Sequence, residues 1–471
     1  MRPAVSTQKR VIPSVPCADI MIGCAPARPA RGTFCMASSL ISVEAVATPS
    51  PYGPATEAAE RSAHLRCRYA LVALACFVFY WGVTTRLHFD FRQGWYPVFI
   101  FQAQAFLEGH LDLRGELPLG GHDLSFYRGR YYAYWPPLPA IVSLPAVMIW
   151  GLAASDKFMT ALFAGVNVFL IGLLLDQIRR RGWIDLVPRT VLSLQIFYAL
   201  GTEPFTCVLS GGGPNFALVL QETCLLSSLA CLFAWPTRLR GAFWGGFFWC
   251  GCILTRAHSV LLAPFYAGFL LSVAFRSGGR RWPWGRLAGL GGWAAIGALS
   301  IMAWNYARFG SVTDSGTAYQ LWAGPGSATV SQTIDHGLIS PYYIPQNLYA
   351  HLVKPMFQVR STPPYVAADA IGDGILLTTP LWFVVLWRWR RIAAHWLARA
   401  GLCGIVPVWG LLLLWYSTGG TQFGMRFLMD FLPLMFLCLA AAVAPKLSRS
   451  AMLLLVMSIA IRGVCTYLYV T

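Results

Sequence analysis

The chain has 471 residues, 56% of them hydrophobic and 12% charged, with a mean hydropathy of +0.55. A soluble protein carries about 25% charged residues, so this composition excludes a string of soluble globules and places the chain in a bilayer. The formal net charge of +17 is distributed between apolar runs rather than gathered into one patch with interleaved aromatics, which excludes nucleic acid as the partner.

Residues 1 to 65 are rich in Pro, Ala, Ser and Thr, lack periodicity, and contain no apolar run flanked like a signal peptide. They are expected to form a disordered cytoplasmic N-terminal extension ahead of one polytopic membrane domain over residues 66–471. Met36 is a second candidate start, since nothing upstream of it reads as structural. Apolar runs long enough to cross about 30 Å of hydrocarbon then recur. They fall near residues 69–85, 158–178, 188–208, 216–235, 241–256, 257–275, 287–305, 375–387, 400–416, 427–444 and 451–470. The expected fold is therefore an all-α membrane protein of about eleven transmembrane helices.

With the N-terminus inside, Arg179 to Arg181, Arg238, Arg240, the arginines from Arg276 to Arg286 and from Arg388 to Arg399, Lys446 and Arg449 all fall in short cytoplasmic turns. That is the positive-inside pattern. Residues 136–154 are apolar enough to span but carry Pro136, Pro137, Pro139 and Pro145. Counting them as a span would invert every later turn, so they are assigned to a short helix at the outer interface. Two long extracytoplasmic segments result, about 86–157 and 306–374. Ten of the 15 acidic residues after the N-terminal tail lie in them, which puts the expected chemistry on the outer face of a cell inner (cytoplasmic) membrane.

The first long segment opens with Asp90, about five residues beyond the first span. Tyr96 to Gly109 carries Val98, Phe101 and Ala105 at helical spacing and reads as an interfacial helix. Asp123 follows, ahead of the aromatics Phe126, Tyr127, Tyr131, Tyr132, Tyr134 and Trp135. Aromatics of this kind form interfacial belts; they also stack on sugar rings, with Tyr132 and Trp135 as candidates. A carboxylate among them could take a hydroxyl proton. Glu222 lies inside an apolar span, where an unpaired carboxylate costs about 2.5–3.5 kcal/mol, so it must pair or protonate. Most of the 13 cysteines sit in apolar segments and read as small fillers, and no spacing fixes a metal ligand set, leaving a divalent metal without support.

The order of segments is informative. An acid just past the first span, a helix ending in FLEGHLDL, the stretch GRYYAYWPPLPAIVSLP, and a span closing in an Arg run are followed by RAHSVLLAP (256–264), NYARFGSVTDSG (305–316) and GGTQFGMRFLMDFLP (419–433). This order resembles the glycosyltransferase C superfamily, and within it the bacterial lipid A and lipopolysaccharide-core sugar transferases and the protein O-mannosyltransferases. The resemblance covers residues 69 to about 444. It implies inverting transfer from a polyprenyl-phosphate sugar donor to a glycolipid, polysaccharide or protein acceptor, with a first-loop acid as base: Asp90 in the catalytic role and Asp123 as a second acid.

The chemistry of such a donor asks for cations where its phosphate meets the interface. Arg256, Arg308 and Arg426 each fall at the outward end of a span, where a guanidinium can fork onto phosphate oxygens; snorkelling anchors are the alternative use of such residues. His258, one turn into its span, is either a further substrate-binding group or a satisfied buried histidine. The competing function is a membrane transporter or lipid flippase. It calls for inverted repeats and midplane breaks, and the sequence shows no such repeat.

Overall fold

The computed structural model describes residues 54–278, 282–355, 357–363, 365–368, 374–419 and 424–470. Residues 1–53 of the assigned N-terminal extension, together with Asp369, Asp373 and Gly420, lie outside the described residues. The chain is an all-α membrane protein. Seven helical segments among the described residues are long and apolar enough to cross a bilayer: Ala63–Thr84, Asp156–Arg180, Pro188–Ser210, Gly213–Ala234, Ala257–Arg276, Trp284–Phe309 and Trp396–Leu414.

In chain order, α1 is Pro54–Thr84, so helix already runs through residues 54–65. Next come α2 (Val98–Leu107), the hairpin of β1 (Ser125–Tyr127) and β2 (Arg130–Tyr132), and α3 (Leu138–Trp150). The bundle continues with α4 (Asp156–Arg180), α5 (Pro188–Gly201), α6 (Glu203–Ser210), α7 (Gly213–Ala234), α8 (Leu239–Thr255), α9 (Ala263–Arg276) and α10 (Trp284–Phe309). After the second long connection, which holds α11 (Ile344–Leu352), come the short helices α12 (Ile375–Thr378), α13 (Phe383–Trp387) and α14 (Trp389–Ala394). The chain then forms α15 (Trp396–Leu414), α16 (Leu432–Val443) and α17 (Arg449–Val470).

Several predicted spans are interrupted, and each interruption has a local cause. The segment 375–387 is not one helix: Pro380 lacks the amide that a helix interior needs, and a 3-10 turn, Pro380–Trp382, separates α12 from α13. Thr202 is extended, with φ −133° and ψ −179°, and splits 188–208 into α5 and α6 ahead of Pro204. The segment 427–444 starts as a 3-10 turn, Arg426–Asp430, and becomes helical only from Leu432. Non-helical backbone at such depth needs protein donors and acceptors around it. Arg462 of α17, fully buried, supplies donors to two of the breaks: it is paired with Glu203 and donates to the hydroxyls of Thr206 (2.9 Å), Thr378 (3.3 Å) and Thr379 (3.0 Å).

At the basic ends the arginines cap helix C-termini. The Arg181 guanidinium donates to Phe233 O (2.5 Å) and Ala234 O (2.6 Å), Arg286 to Pro236 O (2.7 Å), and Arg388 to Ala442 O (2.9 Å). Carbonyls left open at the last helical turn attract such cations. The helix expected over Tyr96–Gly109 forms as α2, yet it buries Val98, Phe99, Ile100, Gln102, Ala103 and Ala105 rather than the single stripe of Val98, Phe101 and Ala105. The reason is that α2 is enclosed by protein: it packs on α3 and, through Phe99, on Phe216 of α7, in an apolar core separate from the main one. The short helix expected within residues 136–154 is α3, carrying Pro145 inside it.

Candidate active site

The local sequence makes the first long connection stiff. Arg128 and Gly129 both take positive φ (49° and 76°), forming the two-residue turn between β1 and β2; Gly129 suits that turn because it has no Cβ to clash. The hairpin is stitched to the second long connection. Asp123 N donates to Leu321 O (2.8 Å), Leu321 N to Leu124 O (2.9 Å), Ser125 Oγ to Gly316 O (2.8 Å), and the Tyr127 hydroxyl to Phe309 O (3.1 Å). Arg308 adds to this joint, with Nη1 donating to Ala133 O at 2.6 Å, Nη2 to Asn305 Oδ1 at 3.3 Å and Nε to Trp304 O at 3.3 Å. Its guanidinium also lies over the Trp304 and Phe309 rings. Arg308 thereby clamps the first connection to the end of α10.

These contacts line up Asp123, whose own backbone has φ +60°, against a cavity of about 1060 Å³. Its Oδ1 accepts from Gln320 Nε2 at 3.0 Å, and His122 Nε2 is 3.7 Å from Oδ2. Burial pushes the Asp123 carboxyl above the ordinary carboxylate range, against the opposing pull of His122, the Gln320 hydrogen bond and the Arg426 charge. A carboxylate shifted in that direction is a better proton acceptor than a fully solvated one. The Tyr134 hydroxyl shares this environment, and burial, with Asp123 and Tyr416 nearby, holds it well above its usual range.

Arg426 enters the cavity from the turn before α16. It donates to Gly419 O and lies over Phe427, while its Nε is buried with no hydrogen-bond partner among the described residues. Among the described residues no carboxylate is within ion-pair distance of it. Arg256 is arranged differently. At the break between α8 and the 3-10 turn Ala257–Leu262, it pairs with Asp430: Nη2 donates to Oδ2 at 3.0 Å, and Nε is in ion-pair contact with Oδ1 at 2.7 Å. His258 Nε2 meets the same Asp430 Oδ2 at 2.9 Å. Asp430 is buried to 1% exposure, so this is an internal charge cluster whose Arg256 and His258 edges face the cavity.

Of the residues singled out in the sequence, Asp123, Trp135, Arg256, His258, Arg308 and Arg426 line this one cavity. Asp90 and Tyr132 do not. The Asp90 carboxylate pairs with Arg92 at 2.5 Å and its carbonyl accepts from Trp81 Nε1 at 3.0 Å. Tyr132 is buried against Phe309 in an edge contact, with ring centroids 5.4 Å apart. Trp135 stacks on Tyr134 at 3.9 Å. Glu222 is fully buried beside the Tyr198 hydroxyl, one turn beyond the cavity-lining Leu218 on α7. Among the described residues no three His, Cys, Asp or Glu side chains gather as a metal-holding group.

Gln320, Tyr416 and the linking role of Asp430 were not legible beforehand. Gln320 and Tyr416 lie in segments without a pattern, but Asp430 had a signal. An acid inside an apolar run such as MRFLMDFLP requires a partner, and the only open question is which cation supplies it. No family model matches the chain, and no curated protein matches it. Among solved structures, the apo oligosaccharyltransferase of Archaeoglobus fulgidus is similar over 84% of this chain, at 13% identity and a TM-score of 0.42. The chain spans 56% of the length of that protein.

Proposed function

We propose that this protein is a membrane glycosyltransferase that moves a sugar, with inversion, from a polyprenyl-phosphate donor to a hydroxyl-bearing acceptor on the extracytoplasmic side of the cytoplasmic membrane. The supporting observation is the composition of one cavity. It joins a carboxylate of raised pKa, Asp123, to Arg426, a cation with no carboxylate partner among the described residues, beside the apolar residues Leu218, Ile301, Leu411 and Leu412. A donor of this class has the matching parts: a lipid tail for the apolar wall, a phosphate for the guanidinium, and a sugar between them. The order of sequence segments shared with the glycosyltransferase C superfamily points the same way.

In this reading the acceptor oxygen attacks the anomeric carbon as the bond from that carbon to the phosphate oxygen breaks. The acceptor proton passes to the Asp123 carboxylate, and the electron pair leaves with the polyprenyl phosphate. Arg426 faces the charge that grows on the departing phosphate, which is where a fixed cation lowers a barrier most. Arg256 and His258, tied to Asp430, contribute a rigid wall whose net charge is small. Arg308 is a positioning residue, holding the Asp123 connection in place.

The test compares Asp123→Asn with Asp90→Asn in purified protein supplied with a polyprenyl-phosphate sugar. Asp123→Asn should lower transfer by about 10²–10⁴-fold, the usual contribution of a general base, while thermal stability in detergent is retained. The acid limb of the wild-type kcat/KM profile should lie above the ordinary carboxylate range. Near wild-type transfer by Asp123→Asn overturns the assignment, and a loss confined to Asp90→Asn moves the base to Asp90.

A further inference from the structure

The cavity is larger than the donor's reactive end requires. About 1060 Å³ lies at the top of the range for sites that enclose a whole drug-sized ligand, which leaves room for a second molecule beside the donor sugar. The second long connection supplies a surface for it. Trp322 and Tyr342 both line the cavity, yet they are 61% and 62% exposed. Both thus offer open aromatic surface inside the cavity that Asp123 lines.

The backbone around them is held firmly. Gln320 is extended (φ −65°, ψ 127°), pairs across to Ser125, and is followed by Leu321, which pairs with Thr329. Trp322 opens the turn that follows Leu321 and lines the same cavity as Gln320 and Asp123. Gln320 is the residue that hydrogen-bonds Asp123. A ring laid on Trp322 thus lies in the cavity that Asp123 lines.

The other half of the surface is equally fixed. The Tyr342 and His336 rings are 3.7 Å apart, centroid to centroid, the Tyr343 hydroxyl donates to Gly337 O at 2.8 Å, and Ser340 Oγ accepts from Tyr342 N. Ser340 N donates to Leu414 O, and Ile339 pairs with Trp415, which ties this segment to the end of α15. Asp335, also in the cavity wall, is exposed and has no hydrogen-bond or ion-pair partner among the described residues.

We infer that Trp322, Tyr342 and Asp335 form an acceptor subsite that binds a carbohydrate, with the aromatic faces stacked on the C–H face of a pyranose and Asp335 accepting a pair of its hydroxyls. This rests on the glycosyltransferase reading and deepens it: the acceptor is a glycan rather than a polypeptide. The chemistry suits a sugar because a pyranose offers an apolar C–H face and several hydroxyl donors on the same ring. The subsite needs no new covalent step. It delivers the attacking hydroxyl to Asp123.

The experiment measures binding, not transfer, so its outcome is separate from that of the Asp123 test. Full-length protein in lipid nanodiscs is titrated with maltotriose, cellotriose and mannotriose, and contact is read by saturation-transfer NMR. At least one trisaccharide should bind. Trp322→Ala should weaken it about tenfold or more, the loss typical of a well-packed aromatic contact. Trp322→Phe should recover most of the affinity, and Asp335→Asn should weaken binding without changing melting temperature. The inference is overturned if no trisaccharide binds, or if the Trp322→Ala, Tyr342→Ala double variant binds as wild type. It is also overturned if a Ser- and Thr-containing peptide binds in a Trp322-dependent way and the glycans do not. Failure of the glycosyltransferase reading would show instead as donor turnover that ignores Asp123.

Discussion

Removing the Asp430 charge is the sharpest structural perturbation of the site. Asp430 is 1% exposed and Arg256 14%, and the carboxylate accepts one guanidinium hydrogen bond at 3.0 Å, has a second guanidinium nitrogen in ion-pair contact at 2.7 Å, and meets the His258 ring at 2.9 Å. Asp430→Leu leaves Arg256 buried without its counter-charge. The cost of stranding one partner of a buried pair is about 3–5 kcal/mol. The pair itself is worth far less, because folding must first strip water from both charges. Arg256→Met combined with Asp430→Leu should therefore recover most of that loss, with His258 free to turn its ring toward the cavity. Unfolding free energies from SDS titration in mixed micelles, for both single variants and the double, close the cycle. A loss under about 1 kcal/mol in Asp430→Leu, or a double variant no better than the sum of the singles, would refute the argument that these residues act as one internal charge cluster.

Arg426→Lys should lower donor turnover by about tenfold and Arg426→Ala by about 10²–10³-fold in kcat, since lysine keeps the charge but loses the planar fork; wild-type turnover in Arg426→Ala would reduce the residue to an anchor. A single cysteine introduced at Ser327, in a background lacking the exposed native thiols, should react with an impermeant maleimide from outside intact cells, and protection there would invert the proposed orientation. The His351 ring is buried and accepts from Trp409 Nε1 at 3.3 Å, and burial lowers its pKa to about 4. The unfolded chain takes up that proton near pH 6.5 and the folded chain does not. Stability should therefore fall by about 1.4 kcal/mol per pH unit between about pH 6.5 and pH 4. Melting temperatures at pH 7 and pH 5 check this, and His351→Gln, which keeps an acceptor for Trp409, should flatten the slope.

The sequence by itself determined what a bilayer dictates locally. Apolar length sets which segments are helical, the spacing of the arginines sets which ends are alike, and the density of acids and aromatics after α1 marks the connection that carries the candidate site. Each of these is a property of a run of neighbouring residues, and a run is visible without a fold. Tertiary structure decided the rest. Arg256, Arg308 and Arg426 look equivalent in sequence, each a cation at a span end, yet one is engaged by Asp430, one clamps Ala133, and one faces the cavity with no carboxylate partner among the described residues. Asp90 and Asp123 are both acids of the first connection, but only Asp123 meets the second connection, through Gln320, nearly two hundred residues away. Whether a charged side chain is structural or available depends on what lies opposite it, and in a helical bundle the opposite residue is set by packing between distant segments, which no local pattern encodes.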